Sequence, residues 1–363
     1  MTRTTLSSLV GTGVALALLL VGFFFAVGHM RHALFVYLAS WLFVLGVVLG
    51  SMTLMMIHAL TGGAWGVRLG NECLAATRLL PYAALAVIPL LVGMHVLFPW
   101  LRTEPVDDPY LDHQRWYLNA PGLIVRTLVV FAIWAWMAYG VMCATGNGRA
   151  LQPRFAAGSL VAMLLTVTLA AVDWVMSLVP HWHTTDIGLL LFTSQLLIAF
   201  ALAVLMHLAR DVQANDAPPR LLRDFGNLML VMVLGWAYVS FIDYLTSWVA
   251  DLPAETAWYA PRLLTGWWWL GVMVACLGLG IPFFALLLGK VKTSLRALRI
   301  VAVVSLFAQW LNLIWLVLPS GALQGVTLYW TDPLICIGLL GFCAMRYRAG
   351  LHERRRVRDG QGA

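Results

Sequence analysis

Apolar positions fall in ten long blocks separated by short polar segments, near 6–28, 34–60, 79–101, 121–145, 155–178, 186–209, 226–249, 264–288, 296–318 and 328–346. Each block is close to the roughly 20 helical residues that cross a hydrocarbon core about 30 Å thick. The pattern predicts an all-α polytopic membrane protein of about ten transmembrane helices, a single integral membrane domain over 1–363 ending in a basic tail, 347–363. The first block is longer than a signal-peptide core and runs into FFFAVGHMRH without a small-residue cleavage pattern, so it is read as a retained helix.

Composition agrees: 61% of residues are hydrophobic, 11% are charged, and the mean hydropathy is +0.85. A soluble domain of this size would expose far too much apolar surface, so lipid is the solvent for most of the chain. The net charge of +7 sits in short inter-block segments and in His352–Arg358. That distribution fits an anionic leaflet and not nucleic acid. Eighteen of the 23 basic residues lie on one set of alternate segments, while Arg31, Arg102, Arg115, Arg126 and Arg262 lie on the other. The imbalance predicts that both termini are cytoplasmic. The five cysteines (Cys73, Cys143, Cys276, Cys336 and Cys343) show no ligand spacing for zinc, iron–sulfur clusters or c-type haem. No metal or redox centre is expected on the chain itself.

Tryptophan is lopsided as well. Trp100, Trp116, Trp174, Trp182, Trp248, Trp258, Trp267, Trp268 and Trp330 lie in or near the outer segments, and only Trp65 lies in an inner one. A thick interfacial belt and a docking surface for a partner both account for this.

Ionisable groups inside spans are functional suspects because burying them is costly. Asp173 and Asp243 lie near the outer ends of two helices running in the same direction, in the matching segments Asp173-Trp-Val-Met-Ser177 and Asp243-Tyr-Leu-Thr-Ser247. In a helix each serine shares a face with its acid, and a carboxyl with a hydroxyl one turn away can relay a proton. A purely structural carboxyl, satisfied by a neighbouring helix or by Arg126 or Arg262, explains the same residues. Tyr238 and Gln195 are further candidates for a proton path, although intramembrane neutral polar groups are mostly interhelical contacts. Between the fifth and sixth blocks, Pro180-His-Trp-His-Thr-Thr-Asp186 supplies N-cap residues and two histidines flanking a tryptophan. His181, Trp182 and His183, with Arg126 and Arg262, are the candidates for an outer-surface quinone or partner site. His58 and His207 share the depth that two axial haem ligands need; ordinary hydrogen-bonded histidines are the preferred reading.

The stretch from Asp173 to Thr185 resembles the F-type membrane subunit of bacterial alternative complex III (ActF-like), within the NrfD-like polysulfide-reductase membrane-anchor superfamily. Trp116-Tyr-Leu-Asn-Ala-Pro121 with Arg126, Tyr238-Val-Ser-Phe-Ile-Asp-Tyr-Leu245, Leu252-Pro-Ala-Glu-Thr-Ala-Trp-Tyr259 with Arg262, and Trp315-Leu-Val-Leu-Pro319 extend the likeness in the same order. The chain departs from the family pattern at Val179, Asp243 and Asn312. The resemblance implies two four-helix bundles, helices 2–5 and 6–9, with helices 1 and 10 peripheral. It also implies a place in the bacterial inner membrane, in a respiratory complex that oxidises quinol and passes electrons to cytochrome c or to a haem–copper oxidase. Haem c and iron–sulfur clusters would belong to partner subunits, quinol oxidation mainly to a sister NrfD-like subunit, and scaffolding with a proton path to a chain like this one. Two other readings compete: a quinol-binding subunit in its own right, and a secondary transporter. A transporter should show paired broken helices in two repeats, and Pro89 and Pro282 do not make such a pair.

Overall fold

The computed structural model describes residues 3–101, 109–146, 149–211, 218–250, 252–322 and 325–360, and every regular element among them is helical. Nine helical stretches are long and apolar enough to cross a membrane among the described residues. The chain order is α1 (Arg3–Phe25), α2 (Met30–Thr61), α3 (Ala64–Val92), α4 (Ala120–Gly146), α5 (Pro153–Trp174), α6 (Ile187–Asp211), α7 (Pro219–Ala250), α8 (Trp267–Leu287), α9 (Leu295–Val317) and α10 (Thr331–Gly360). Helix α1 is the tenth; its apolar part, Val10–Phe25, is shorter than the others.

Helices α2 to α5 pack on one another, as do α6 to α9, and the two groups join chiefly along α2 and α6. Helix α1 lies along α10, which leans on α2 and α3. The two-bundle arrangement with two peripheral helices is therefore the observed one. Alternate crossings give the molecule two faces. One carries the basic connections α2–α3, α4–α5, α6–α7 and α8–α9; the other, the tryptophan face, carries the rest.

Burial is unequal. In α2, 94% of the most apolar window is enclosed by protein, against 22% in α7 and α8. A helix surrounded by others needs close backbone approach, and small residues provide it. Gly46 and Gly50, one turn apart, face α6. A Cβ on Gly46 would lie 3.1 Å from Ile198, and one on Gly50 would run into the backbone carbonyl of Gln195 and lie 2.7 Å from Ala199. Gln195 is thus buried in the α2–α6 seam. At the basic face α2 ends at Gly62 (φ 70°) and Gly63 (φ 103°), conformations that glycine adopts without strain.

Three expectations need correction. The segment 61–78, read as an inner loop, is mostly helix: α3 begins at Ala64, and prolines 81 and 89 start its later pieces. The outer segment after α7 forms a short helix, Pro253–Leu264. The tail begins as a continuation of α10, helical to Gly360. In α8 the helix widens into a π-turn, Cys276–Gly280, just before Pro282, where Gly278 lies against Trp236 of α7. Helices α3 and α8 are therefore interrupted differently, the one by prolines within a bent helix, the other by a π-turn.

Gly50→Leu should lower the stability of the detergent-solubilised protein by about 1–3 kcal/mol, the usual cost of overpacking. Gly235→Leu, at a position with open space around its Cβ, should leave stability unchanged. Thermal unfolding of both variants tests whether the seam sets the packing.

Candidate functional site

The conspicuous polar groups gather near the tryptophan face, in two clusters joined by aromatic packing. Asn119 opens the first. Its Oδ1 accepts from the backbone N–H of Gly122 at 2.7 Å, which caps α4, while Pro121 occupies the first turn. One turn on, Arg126 points back across the helix start. Its Nε donates to both oxygens of Asp173 at 2.8 and 3.1 Å, its Nη1 donates to the Tyr117 carbonyl at 2.9 Å, and its guanidinium lies 3.9 Å from the Tyr117 ring centroid. Burial, with Asp173 alongside, raises the Tyr117 phenol above its ordinary value, and Arg126 offsets part of that rise. Asp173 is 3% exposed, and its pairing with Arg126 pins α4 to α5 through a buried ion pair. Ser177 does not serve the carboxylate. It sits in a 3-10 turn and donates to the Asp173 backbone carbonyl at 2.6 Å.

Asp243 of α7 is the second centre, 1% exposed. Thr184 donates to its Oδ1 at 2.6 Å, and Tyr259, from the helix Pro253–Leu264, donates to its Oδ2 at 2.5 Å. Thr184 also accepts from the N–H of Asp186 at 3.2 Å, at the start of α6. Asp243 thus carries two neutral hydroxyl donors. Burial and the Asp243 charge push the Tyr259 phenol upward, so it remains a donor. Ser247 is buried on the same helix, but the hydroxyls that engage Asp243 come from two other segments. The matching Asp-to-Ser spacing of the sequence therefore marks two different arrangements: an ion pair at Asp173 and a hydroxyl-bonded acid at Asp243.

Arg262 joins the clusters to α9. It is fully buried, and its guanidinium lies 3.4 Å from the Trp258 ring centroid. It donates to the carbonyls of Trp258 (2.6 Å), Trp315 (3.2 Å) and Leu316 (2.7 Å) and to Ser320 Oγ (3.0 Å). The last carbonyls of a helix have no intrahelical partner, and a fixed fork of donors suits them well. Desolvation lowers the pKa of Arg262, yet a guanidinium stays charged in a protein. Trp258 in turn stacks on Trp182, with centroids 4.6 Å apart and planes 14° from parallel.

The surface candidates divide accordingly. His181 and His183 are exposed, with Gln114 3.3 Å from His183 Nε2. Trp182 and Arg262 are buried within the chain, and Arg126 is bonded to Asp173. Tyr238 is 67% exposed on the outward side of α7, away from the Asp243 cluster. Of the tryptophans counted toward the outer segments, Trp174, Trp182, Trp258 and Trp267 are core residues, whereas Trp116, Trp248, Trp268 and Trp330 are exposed. The excess is thus partly packing and partly surface. His58 bonds the Gly63 carbonyl at 3.0 Å, and His207 Nδ1 lies 3.5 Å from Glu72 of α3, so each has a protein partner.

Sequence reasoning missed Tyr259, Glu72 and the His32–Asp332 pair (2.9 Å) where α2 and α10 begin. The spacing of Trp258, Tyr259 and Arg262 was a usable signal, because in a helix Trp258 and Arg262 share a face. Nothing local flagged Glu72, which lay in a segment read as a loop. Among the described residues no three His, Cys, Asp or Glu side chains gather as metal ligands would. No protein-family model matches the chain, and no curated protein matches it.

Arg126→Leu should destabilise the protein by about 3–5 kcal/mol by leaving Asp173 buried and unpaired. Adding Asp173→Asn should recover at least half of that loss. Chemical unfolding of the single and double variants in detergent measures the coupling.

Proposed function

We propose that this chain is a non-redox membrane subunit of a quinol-oxidising respiratory electron-transfer complex of the alternative complex III type, which scaffolds the assembly and carries protons near its tryptophan face. One observation above all supports this reading. The five separated segments that resemble the F-type subunit interlock with one another near that face. Arg126 binds both Asp173 and the Tyr117 carbonyl, Thr184 binds Asp243, Asp243 binds Tyr259, and Arg262 binds the end of α9 at Trp315–Ser320. Dispersed motifs that converge in space are more readily explained by one shared role than by separate accidents of packing. The exposed Trp116, Trp248, Trp268 and Trp330 on the same side offer aromatic surface for peripheral subunits.

In this assignment the tryptophan face points outward from a bacterial inner membrane and both termini are cytoplasmic. Partner subunits, including a sister NrfD-like chain, hold the haem c and iron–sulfur centres, and a haem–copper oxidase is a candidate acceptor. The proton carrier in this reading is Asp243, because Arg126 holds both oxygens of Asp173, whereas Asp243 is bonded by two hydroxyls that can themselves pass a proton. A proton reaching Asp243 passes to Thr184 Oγ1 as Thr184 releases its own toward the surface; the ionised carboxylate then accepts from Thr184 and Tyr259 again.

Isolation from native membranes in mild detergent should bring down iron–sulfur, c-haem and second NrfD-like chains, identified by mass spectrometry, with a haem spectrum in the particle. A lone, spectrally silent protein would overturn the assignment. Within the complex, Asp243→Asn should preserve assembly and lower proton-coupled turnover at least tenfold, the order expected when a positioned proton-transfer group is lost. Unchanged turnover and pumping in that variant would remove the proton role while leaving the scaffold intact.

A further inference from the structure

The outward face of α7 changes character along its length. From its start on the basic face, Arg220, Arg223 and Asn227 recur at helical spacing and are exposed. The same stripe continues through Val231, Leu234, Tyr238 and Phe241, also exposed. At 1.5 Å per residue the polar part, Arg220 to Asn227, spans about 10 Å, and the apolar part, Val231 to Phe241, about 15 Å. The apolar length matches one leaflet of a hydrocarbon core about 30 Å thick.

A third cation is folded onto this stripe from a different segment. The short helix Gly289–Thr293, between α8 and α9, lies against α7, and Lys292 Nζ donates to Asn227 Oδ1 at 2.7 Å. The lysine stem crosses α7 at Gly226, where a Cβ would come within 2.8 Å of its Cγ. Leu222 and Phe225 of α7 and Leu298 of α9 share one apolar cluster, with Val291 packed against it, so the corner is fixed from below. The Lys292 partner is a neutral amide, and none of the three cations forms an ion pair with a described carboxylate. Asp224, exposed beside Arg223, is the nearest acid along α7, and the first turn of the helix has none. Three cations against one acid leave a net positive corner directly above an apolar track, and phosphate oxygens accept well from arginine and lysine donors.

We infer that this corner of α7 binds the phosphate of an anionic phospholipid from the leaflet on the basic face, held by Arg220, Arg223 and Lys292, with an acyl chain lying along Val231 to Phe241. Charge complementarity selects the head group, because Lys and Arg clustered beside a spanning helix attract anionic lipid. A zwitterionic head group would bring its own cation to the same place. The apolar continuation selects a lipid over a soluble acidic partner, which would leave that track unused. The site lies at the opposite end of α7 from Asp243, and it stands whether or not the chain belongs to a respiratory complex.

The test uses the purified full-length protein in phosphatidylcholine vesicles carrying trace photoreactive phosphatidylglycerol or, separately, photoreactive phosphatidylcholine of the same chains. Phosphatidylglycerol should label peptides from the first half of α7 at least about fivefold more than phosphatidylcholine does. Arg220→Gln, Arg223→Gln and Lys292→Gln combined should bring the two probes to within about twofold of each other, and Lys292→Gln alone should lower the ratio at least about twofold. Arg149→Gln, Arg154→Gln and Arg348→Gln combined, the same change of charge elsewhere on the basic face, should leave the ratio intact. Excess inorganic phosphate should not displace the probe. Equal labelling of the wild type by both probes, an undiminished ratio in the triple α7 variant or in Lys292→Gln, loss of the ratio in the control variant, or displacement by inorganic phosphate would each overturn the proposal.

Discussion

The approach of α2 to α6 at Gly50 is the contact on which the rest of the molecule depends. A helix enclosed along its whole length cannot be held by any hydrophobic effect against lipid, since lipid is as apolar as the protein; dispersion and close backbone contact must do it. With Gly50 against the Gln195 carbonyl, the two four-helix groups share one seam, and α10 leans on α2 and α3 beside it. A bulkier residue would move the halves apart and with them the segments that meet near the tryptophan face.

That face is built from helix ends, where backbone groups lack partners. Asn119 supplies one at the start of α4, Thr184 one at the start of α6, and Arg262 several at the end of α9. The same side chains, or their immediate neighbours, hold Asp173 and Asp243. Structure and candidate chemistry are therefore hard to separate by deleting a residue, which is why the conservative changes Asp to Asn carry more information than alanine substitutions.

The helix count, the tryptophan asymmetry and the two buried aspartates were legible in the sequence because each leaves a local signature: apolar length, composition, or a charge inside an apolar block. The partners of the aspartates were not. Asp173 and Asp243 lie in look-alike pentapeptides, and only the approach of α4 in one case and of Tyr259 in the other makes an ion pair of the first and a hydroxyl-bonded acid of the second. Arg262 was legible as an unusual charge but pointed to the wrong surroundings, because its true partners are main-chain carbonyls and carry no side-chain signal. Trp182 was misplaced for a similar reason: its ring is held by Trp258, more than seventy positions away.

Arg262 also constrains the order of assembly. Its acceptors at Trp315, Leu316 and Ser320 are synthesised some fifty residues after it, so before α9 is made the guanidinium has, of its four acceptors, only the Trp258 carbonyl of its own helix. The helix Pro253–Leu264 can settle into its final place only once α9 has crossed and presented its carbonyls. Tyr259 travels with that helix, so the Asp243 cluster is completed last, and a chain arrested before α9 would carry its buried acid half-dressed.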